Sequence, residues 1–268
     1  MQGSLNNYKA VVFDFDGTIT KRGMHYPSAE MVEVLAKISQ KVPIACCTGR
    51  QLESFLRHGL EFFEGVNLAN LHLMAENGAI GYFYNGEFEE FYRSRWPEEF
   101  VARAELMARM NEVIKEFGSV YFEAHRIVVV LRTHLHDLAH EERDPDAVAA
   151  LSAKIYQLAC EELARISVDY EQFLHVGDSG IGVVIGPADG DKDFGVEMFG
   201  KFLMRERGME FSPNFKEILA IGDRPQVGGN DHYFLNGRIG TPFSVGPESK
   251  GPFHEEGTRK ILIDCFGL

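Results

Sequence analysis

Basic residues are what this chain is short of: 27 Lys and Arg stand against 40 Asp and Glu, a formal charge of −13. A surface of that sign repels DNA, RNA and anionic lipid, whose binding rests on cationic contacts. No nucleic-acid or membrane partner is therefore expected, and taken alone the charge also argues against a phosphorylated ligand. Cysteine is scarce too. Cys46, Cys47, Cys160 and Cys265 fit no zinc spacing and two of them are adjacent, the pattern of reduced thiols in a cytoplasmic protein. No run reaches the ~18 consecutive apolar residues of a membrane span. The short polar stretch 1–9 reads as carrying no secretory signal, and neither repeats nor a low-complexity linker interrupt the chain. What remains is ordinary for a folded protein: 268 residues, 45% apolar and 25% charged, room for one large α/β domain or two modest ones.

Apolar periodicity divides the chain. Residues 10–15 (AVVFDF) and 42–47 (VPIACC) predict strands buried on both faces, and 71–75 a third that ends at Glu76-Asn77-Gly78. Between them, Pro27 and Ser28 open a helix with Met31, Leu35 and Ile38 inward. Thr48 and Gln51 form a capping box before Leu52, Phe55 and Leu56. Strand, helix, strand, helix, strand implies a parallel sheet with right-handed crossovers. Near Tyr82 the rhythm changes. Asn85-Gly86 signals a hairpin, Pro97 starts a helix through Met110, Val113, Ile114 and Phe117 closed by Gly118, and 120–132 holds one or two strands. Asp144-Pro145 caps a helix with Val148, Leu151, Ile155 and Leu158 inward, and strands follow at 173–176 and 181–185. After Pro187 the first rhythm resumes: a helix opening at 189–193, a strand at 218–221 leading into Gly222-Asp223, and a last strand at 260–264. The expected fold is α/β: a discontinuous core, 1–82 and 188–268, interrupted by an inserted α+β domain, 83–187.

Four positions carry chemistry. Asp14 and Asp16 stand at the end of the first apolar strand, and alternation puts both carboxylates on one side with Phe13 and Phe15 on the other. They read either as exposed turn formers or as a repelling pair relieved by a cation or a shared proton. Thr48 reads as a helix cap or as a phosphate seat, which are compatible. Lys192, at a helix start, is either a solvated lysine among Asp189, Asp191 and Asp193 or faces an anion shared with the helix end. Asp223 ends another apolar strand before a Gly-rich loop to Asn230-Asp231. Ligands of parallel sheets bind outside the carboxyl ends of the strands, and Asp14, Thr48 and Asp223 all fall there. Acidic oxygens so gathered suit Mg²⁺, and hydroxyl and ammonium donors opposite them suit a phosphoryl group.

Asp14-Phe15-Asp16-Gly17-Thr18, Thr48-Gly49-Arg50, Lys192 and Gly222-Asp223 with Asn230-Asp231 together resemble, in order, the four motifs of the haloacid dehalogenase superfamily. The insert between the Thr and Lys motifs resembles the C2-type cap of its sugar-phosphatase branch. The run from Gly222 to His232 and the Ala75-Glu76-Asn77-Gly78 segment resemble eukaryotic-type phosphomannomutases. The resemblance implies a Rossmann-like core with a cap. It makes Asp14 the nucleophile, Asp16 the general acid and base, and Thr48 and Lys192 the ligands of the phosphoryl group. Mg²⁺ would rest on Asp14, the Asp16 carbonyl, Asp223 and Asp231.

Substrate choice is then expected from the cap, with Glu123, His125, Arg126 and Arg132 as candidates beside Gly49, Arg50 and Asn77 of the core; the alternative for the cap residues is a polar sheet face open to solvent. His125, His134, His136 and His140, with no cysteine near, do not read as a zinc site. After Glu123 the chain has Ala124-His125-Arg126-Ile127 where mutases of this kind have an R-N-G-M segment. That favours a phosphatase of a small phosphorylated metabolite, a sugar phosphate, over a sugar phosphomutase or a catalytically idle sugar-phosphate-binding protein. A monomer or homodimer is expected.

Overall fold

The computed structural model describes residues 8–21, 24, 26–58, 60–122, 126–131, 144–180, 182–249 and 251–268. In chain order the strands and helices up to the insert are β1 (Ala10–Phe13), α1 (Ala29–Ser39), β2 (Ile44–Cys47), α2 (Leu52–His58), β3 (Leu71–Ala75), β4 (Ile80–Tyr84) and β5 (Phe88–Arg93). Then come α3 (Arg103–Ile114), β6 (Gly118–Phe122), β7 (Ile127–Leu131), α4 (Pro145–Ile166), β8 (Leu174–Asp178) and β9 (Gly182–Pro187). The chain closes with α5 (Lys192–Arg207), β10 (Ile218–Gly222), α6 (His232–Leu235), β11 (Thr241–Ser244) and α7 (His254–Phe266). No helix among the described residues is long and apolar enough to cross a membrane.

One compact unit runs to Arg93 and resumes over Lys192–Pro225 and Asp231–Leu268. Its sheet has the order β11-β10-β1-β2-β3-β4-β5, parallel through β3 and antiparallel beyond. Alternation along each strand feeds two cores. Val11, Phe13, Ile44, Cys46, Leu219 and Ile221 face Met31, Leu35 and Ile38 of α1 and Leu262 of α7. Ala10, Val12, Ala45, Cys47, Ile218 and Ala220 face Val196, Phe199 and Leu203 of α5. Each large apolar side chain fully buried this way contributes about 1.5–3 kcal/mol. Ser28 starts α1 as read, its Oγ accepting from the Met31 N–H at 3.2 Å.

The second unit, Ser94–Asp191 with Gln226–Asn230, is an antiparallel sheet β6-β7-β9-β8. Val120, Ile127, Val176, Val183 and Ile185 share a core with Leu106, Met110 and Ile114 of α3 and Ile155 and Leu163 of α4. Asp144 caps α4 by accepting from the Asp146 N–H, with Pro145 in the first turn.

Several readings need correction. The hairpin β4–β5, read as the start of the insert, pairs antiparallel with β3 and widens the first sheet; a two-stranded hairpin alone leaves a face uncovered. β1 ends at Phe13, so Asp14 and Asp16 lie beyond the strand and alternation does not relate them. Gly118 opens β6 instead of closing α3, and β11 was not foreseen. Residues 260–264, read as a strand, lie inside α7. Their apolar run belongs to a helical stripe, with Thr258, Leu262 and Cys265 buried and Ile263 exposed between them.

Two features of this unit make measurable predictions. His72 on β3 is fully buried against Phe199 and Phe202, its Nδ1 within hydrogen-bond distance of the Ile44 and Asn70 carbonyls and its Nε2 without a partner. Burial, with Arg207 adding, pushes its pKa down from 6.5 to about 4. Between those values only the unfolded chain takes up the proton. The contribution of neutral His72 is therefore whole above pH 6.5 and declines as pH falls, by up to about 3 kcal/mol at pH 4. Urea unfolding at pH 7 and pH 5 is expected to show a smaller loss of stability for His72→Phe than for wild type; equal losses refute it. Gly17 (φ +78°) and Gly86 (φ +86°) are both left-handed, but a methyl on Gly17 would stand 2.7 Å from Asp223 Oδ2, whereas one on Gly86 meets nothing within 4 Å. Gly86→Ala should cost about 1–2 kcal/mol from the backbone alone, and Gly17→Ala at least ~1 kcal/mol more. Equal unfolding midpoints for the two variants would rule this out.

Candidate active site

β1, β2 and β10 lie side by side, and their parallel register pairs Phe13 with both Cys46 and Ile221. The residues that follow each strand therefore emerge together at one edge: Asp14 after β1, Thr48 just beyond β2, and Asp223 after β10. The Asp14 N–H donates to the Ile221 carbonyl at 2.9 Å, which fixes where its side chain starts. Lys192 is the first residue of α5, the helix packed on the Val12 and Ala45 face of the sheet. Its Nζ lies 2.8 Å from Asp14 Oδ1 and 2.6 Å from Asp231 Oδ1, and all three side chains are almost wholly buried. Asp231 Oδ2 accepts the N–H groups of Asp223 (2.9 Å) and Arg224 (3.1 Å). One carboxylate thus joins the ammonium to the loop that carries Asp223. Gly222 permits that approach, since a methyl there would sit 2.7 Å from Asp231 Oδ2.

Carboxylate oxygens of Asp14, Asp223 and Asp231 all fall within 4.8 Å of one another. Burial first, then the Asp231 charge, pushes the Asp14 pKa up to about 7, with Lys192 opposing. Burial together with Asp231 and Asp14 holds Asp223 well above the carboxylate range. For Lys192, burial pulls the pKa down but the two carboxylates more than reverse it, so the ammonium keeps its proton. Asp223 Oδ1 is buried and has no hydrogen-bond partner among the described residues. Three hard oxygen donors, mutual repulsion and an unsatisfied carboxylate oxygen are what a divalent cation such as Mg²⁺ satisfies. The residues present fit that ion.

The other core candidates lie around this cluster. The Asp16 carboxylate is not part of it. Its half-exposed carboxylate is held by Arg50, Nη2 to Oδ1 at 2.8 Å and Nε to Oδ2 at 3.4 Å, and the guanidinium stacks 4.4 Å from the Phe15 ring centroid. The assignment of Asp16 to the metal through its main-chain carbonyl does not involve this side chain. Thr48 is fully buried, and its Oγ1 accepts from the Arg50 N–H at 3.2 Å. α2 begins only at Leu52, so the expected cap is instead a tight local turn that carries Gly49 and Arg50. Asn77 is buried in the turn after β3, and its N–H donates to the Thr48 carbonyl at 2.8 Å. Arg126, in the second unit, is buried just before β7. Glu123, His125 and Arg132 lie outside the described residues, as do His134, His136 and His140.

Sequence reasoning missed two contributors. The Asp16–Arg50 pair joins positions 34 residues apart, and in the sequence Arg50 reads only as a ligand contact. His254, at the start of α7, donates from Nδ1 to the Gly17 carbonyl at 2.6 Å and lies 3.9 Å from Asp223 Oδ2. No local pattern marks it, because its bond to Gly17 joins residues 237 apart.

The chain has recognisable relatives. It is 25% identical to the phosphomannomutase of Saccharomyces cerevisiae over 271 residues, spanning 96% of this chain and 94% of that one. Among solved structures it resembles an N-terminally truncated, IMP-bound IMP-nucleotidase of Plasmodium falciparum, with TM-score 0.66 and 14% identity over 97% of this chain and 68% of that one. It also resembles the C-terminal domain of the Candida albicans trehalose-6-phosphate phosphatase, with TM-score 0.61 and 18% identity over 98% and 96% of the two chains. At such identity these structures establish the shared fold. Residues 11–148, half of the chain and including Asp14, Asp16 and Thr48, match the family of haloacid dehalogenase-like hydrolases. With strand-end Asp14, Thr48 and Asp223 gathered beside Lys192 on this sheet, the chain belongs to the haloacid dehalogenase-like hydrolase family.

Proposed function

We propose that the protein is a Mg²⁺-dependent phosphatase of a small phosphorylated metabolite, a sugar phosphate, working through an aspartyl-phosphate. The observation that carries this reading is the buried Asp14–Lys192–Asp231 chain beside the unsatisfied carboxylate oxygen of Asp223. An Asp14 oxygen attacks phosphorus, the phosphorus–oxygen bond to the sugar breaks, and Asp16 gives its proton to the departing alkoxide. Asp16 then takes a proton from the water that attacks the aspartyl-phosphate, which releases phosphate and restores Asp14. The Thr48 hydroxyl and the Lys192 ammonium face the oxygens on which charge accumulates during transfer. Asp14, the Asp16 carbonyl and Asp223 would hold Mg²⁺, with Asp231 supporting directly or through water; the ion would supply charge neutralisation for the transferring group.

Arg50 keeps Asp16 beside Phe15 by two hydrogen bonds, which restricts the acid to one position before substrate arrives. Choice among sugar phosphates is assigned to the second unit, with Arg126 as its cationic candidate. Four free cysteines suit a reducing compartment, and we place the enzyme in the cytoplasm. The phosphomannomutase likeness favours a second reading, intramolecular phosphoryl transfer by the same Asp14. The Ala124-His125-Arg126-Ile127 segment, where such mutases have R-N-G-M, weighs against it.

Phosphate release from a panel of sugar phosphates, nucleotides and phosphopeptides, with Mg²⁺ and with EDTA, tests the reading. Metal-dependent release, highest with sugar phosphates, is expected. Preference for a nucleotide would overturn the substrate class, and formation of an isomer on activation by a bisphosphorylated sugar would favour the mutase. Asp14→Asn should lower turnover by at least ~10³-fold while the protein stays folded by circular dichroism. Wild-type turnover in that variant removes Asp14 as nucleophile.

A further inference from the structure

The geometry points to His254 as a positioning residue for the metal site, acting through the Gly17 peptide and the Asp223 carboxylate. This inference rests on the metal assignment of the proposed function. The Gly17 carbonyl only accepts, so the Nδ1 that approaches it at 2.6 Å carries the hydrogen and the ring is fixed as that tautomer. The same Nδ1 lies 3.9 Å from Asp223 Oδ2. Gly17 leaves little room at that same oxygen: a methyl on it would stand 2.7 Å away. One carboxylate oxygen of Asp223 thus lies close to both a left-handed glycine and an imidazole. Its other oxygen, Oδ1, is the buried one with no partner among the described residues. A carboxylate free to rotate would offer a cation either oxygen and lose orientational entropy on binding; one fixed beforehand does not.

The surroundings of His254 hold it there at a cost. Its backbone is left-handed (φ +52°), which disfavours a residue with a β-carbon by about 1–2 kcal/mol. That conformation persists because its N–H donates to the Val245 carbonyl at 2.8 Å and because α7 is tied once to the loop after β1 and once to the start of α1. Thr258 Oγ1 donates to the Thr18 carbonyl at 2.7 Å, and Glu255 accepts from the N–H and hydroxyl of Ser28. The first turn of α7 therefore acts as a strap across the Asp-Phe-Asp-Gly-Thr segment, and His254 is the point at which it reaches Asp223.

Mg²⁺ alone, titrated calorimetrically into the full chain, tests this. Three variants separate positioning from folding: His254→Ala, His254→Gly and His254→Asn. Glycine adopts φ +52° freely, so the metal-free His254→Gly protein should keep the thermal midpoint of wild type while its Mg²⁺ affinity falls tenfold or more. Alanine should lose affinity as glycine does and lose thermal stability as well. Asparagine tolerates the backbone and offers an amide N–H where Nδ1–H was, so it should bind Mg²⁺ within about threefold of wild type. Wild-type affinity in His254→Gly, or an asparagine variant as weak as alanine, overturns the inference. Asp223→Asn separates the two layers of reasoning. If wild type binds no Mg²⁺, or Asp223→Asn binds it as well as wild type, the metal assignment fails and this inference with it. If Asp223→Asn abolishes binding and the His254 variants do not weaken it, only the role of His254 is refuted.

Discussion

The ammonium of Lys192, lodged between Asp14 and Asp231, is the constraint on which the rest of the site depends. Taking three charges out of water costs several kcal/mol per ion, and their mutual attraction returns that only where every polar atom finds a partner. Lys192 reaches Asp14 at 2.8 Å and Asp231 at 2.6 Å, and its Nζ lies 5.3 Å from the Phe234 ring. Asp231 uses its other oxygen on two main-chain N–H groups. Placing a cation at a helix start opposes the macrodipole by a few tenths of a kcal/mol, a small term beside two charge-assisted contacts. The helix that buries Val196, Phe199 and Leu203 therefore also delivers the charge, and the packing of α5 and the chemistry of the site are one requirement.

A formal count explains why such an arrangement invites a divalent cation. Three carboxylates, those of Asp14, Asp223 and Asp231, share the space with one ammonium. With all groups ionised the cluster carries two excess negative charges in a setting that resists even one. Proton uptake is one relief, and the raised affinity of Asp14 and Asp223 for protons expresses it. A dication would be the other, and it would leave Asp14 ionised, as the proposed nucleophile requires. The overall charge of −13 thus says less about a phosphorylated ligand than its sign suggests, because part of it is concentrated where a bound dication would invert the local field.

Much of this was legible in the sequence for a simple reason: buried parallel strands are continuous apolar runs, and the polar residue that ends each run marks the ligand edge. Asp14, Thr48 and Asp223 were found that way, and Ser28 and Asp144 by their capping chemistry. What local pattern does not carry was misread. The hairpin β4–β5 has the same Asn-Gly signature whichever sheet it joins, and only its pairing with β3 assigns it to the core. The apolar run 260–264 fits a strand until the burial of Thr258, Leu262 and Cys265 reveals a helical stripe. The Asp16–Arg50 pair and the His254–Gly17 bond join residues 34 and 237 apart, and no spacing rule predicts them.

Backbone strain follows the same division. Among the described residues, non-glycine left-handed backbone occurs at Glu76, Asn77, Phe215 and His254. Three of these border the edge where Asp14, Thr48 and Asp223 emerge: Glu76 and Asn77 follow β3, and His254 faces Gly17. Each departure costs about 1–2 kcal/mol and persists only where tertiary contacts over-determine it. The contacts are specific: Glu76 N–H to the Arg50 carbonyl, Asn77 N–H to the Thr48 carbonyl, and His254 N–H to the Val245 carbonyl. In each case the strained residue grips a segment that bears or borders a site residue, so its unfavourable conformation is opposed by bonds that also hold Thr48, Arg50 or Asp223 in place. Relaxing such a residue to its preferred backbone would release the neighbour it holds. The geometry of the edge is therefore sustained by the long-range packing of the sheet with α5 and α7, against the local preferences of the residues that form it.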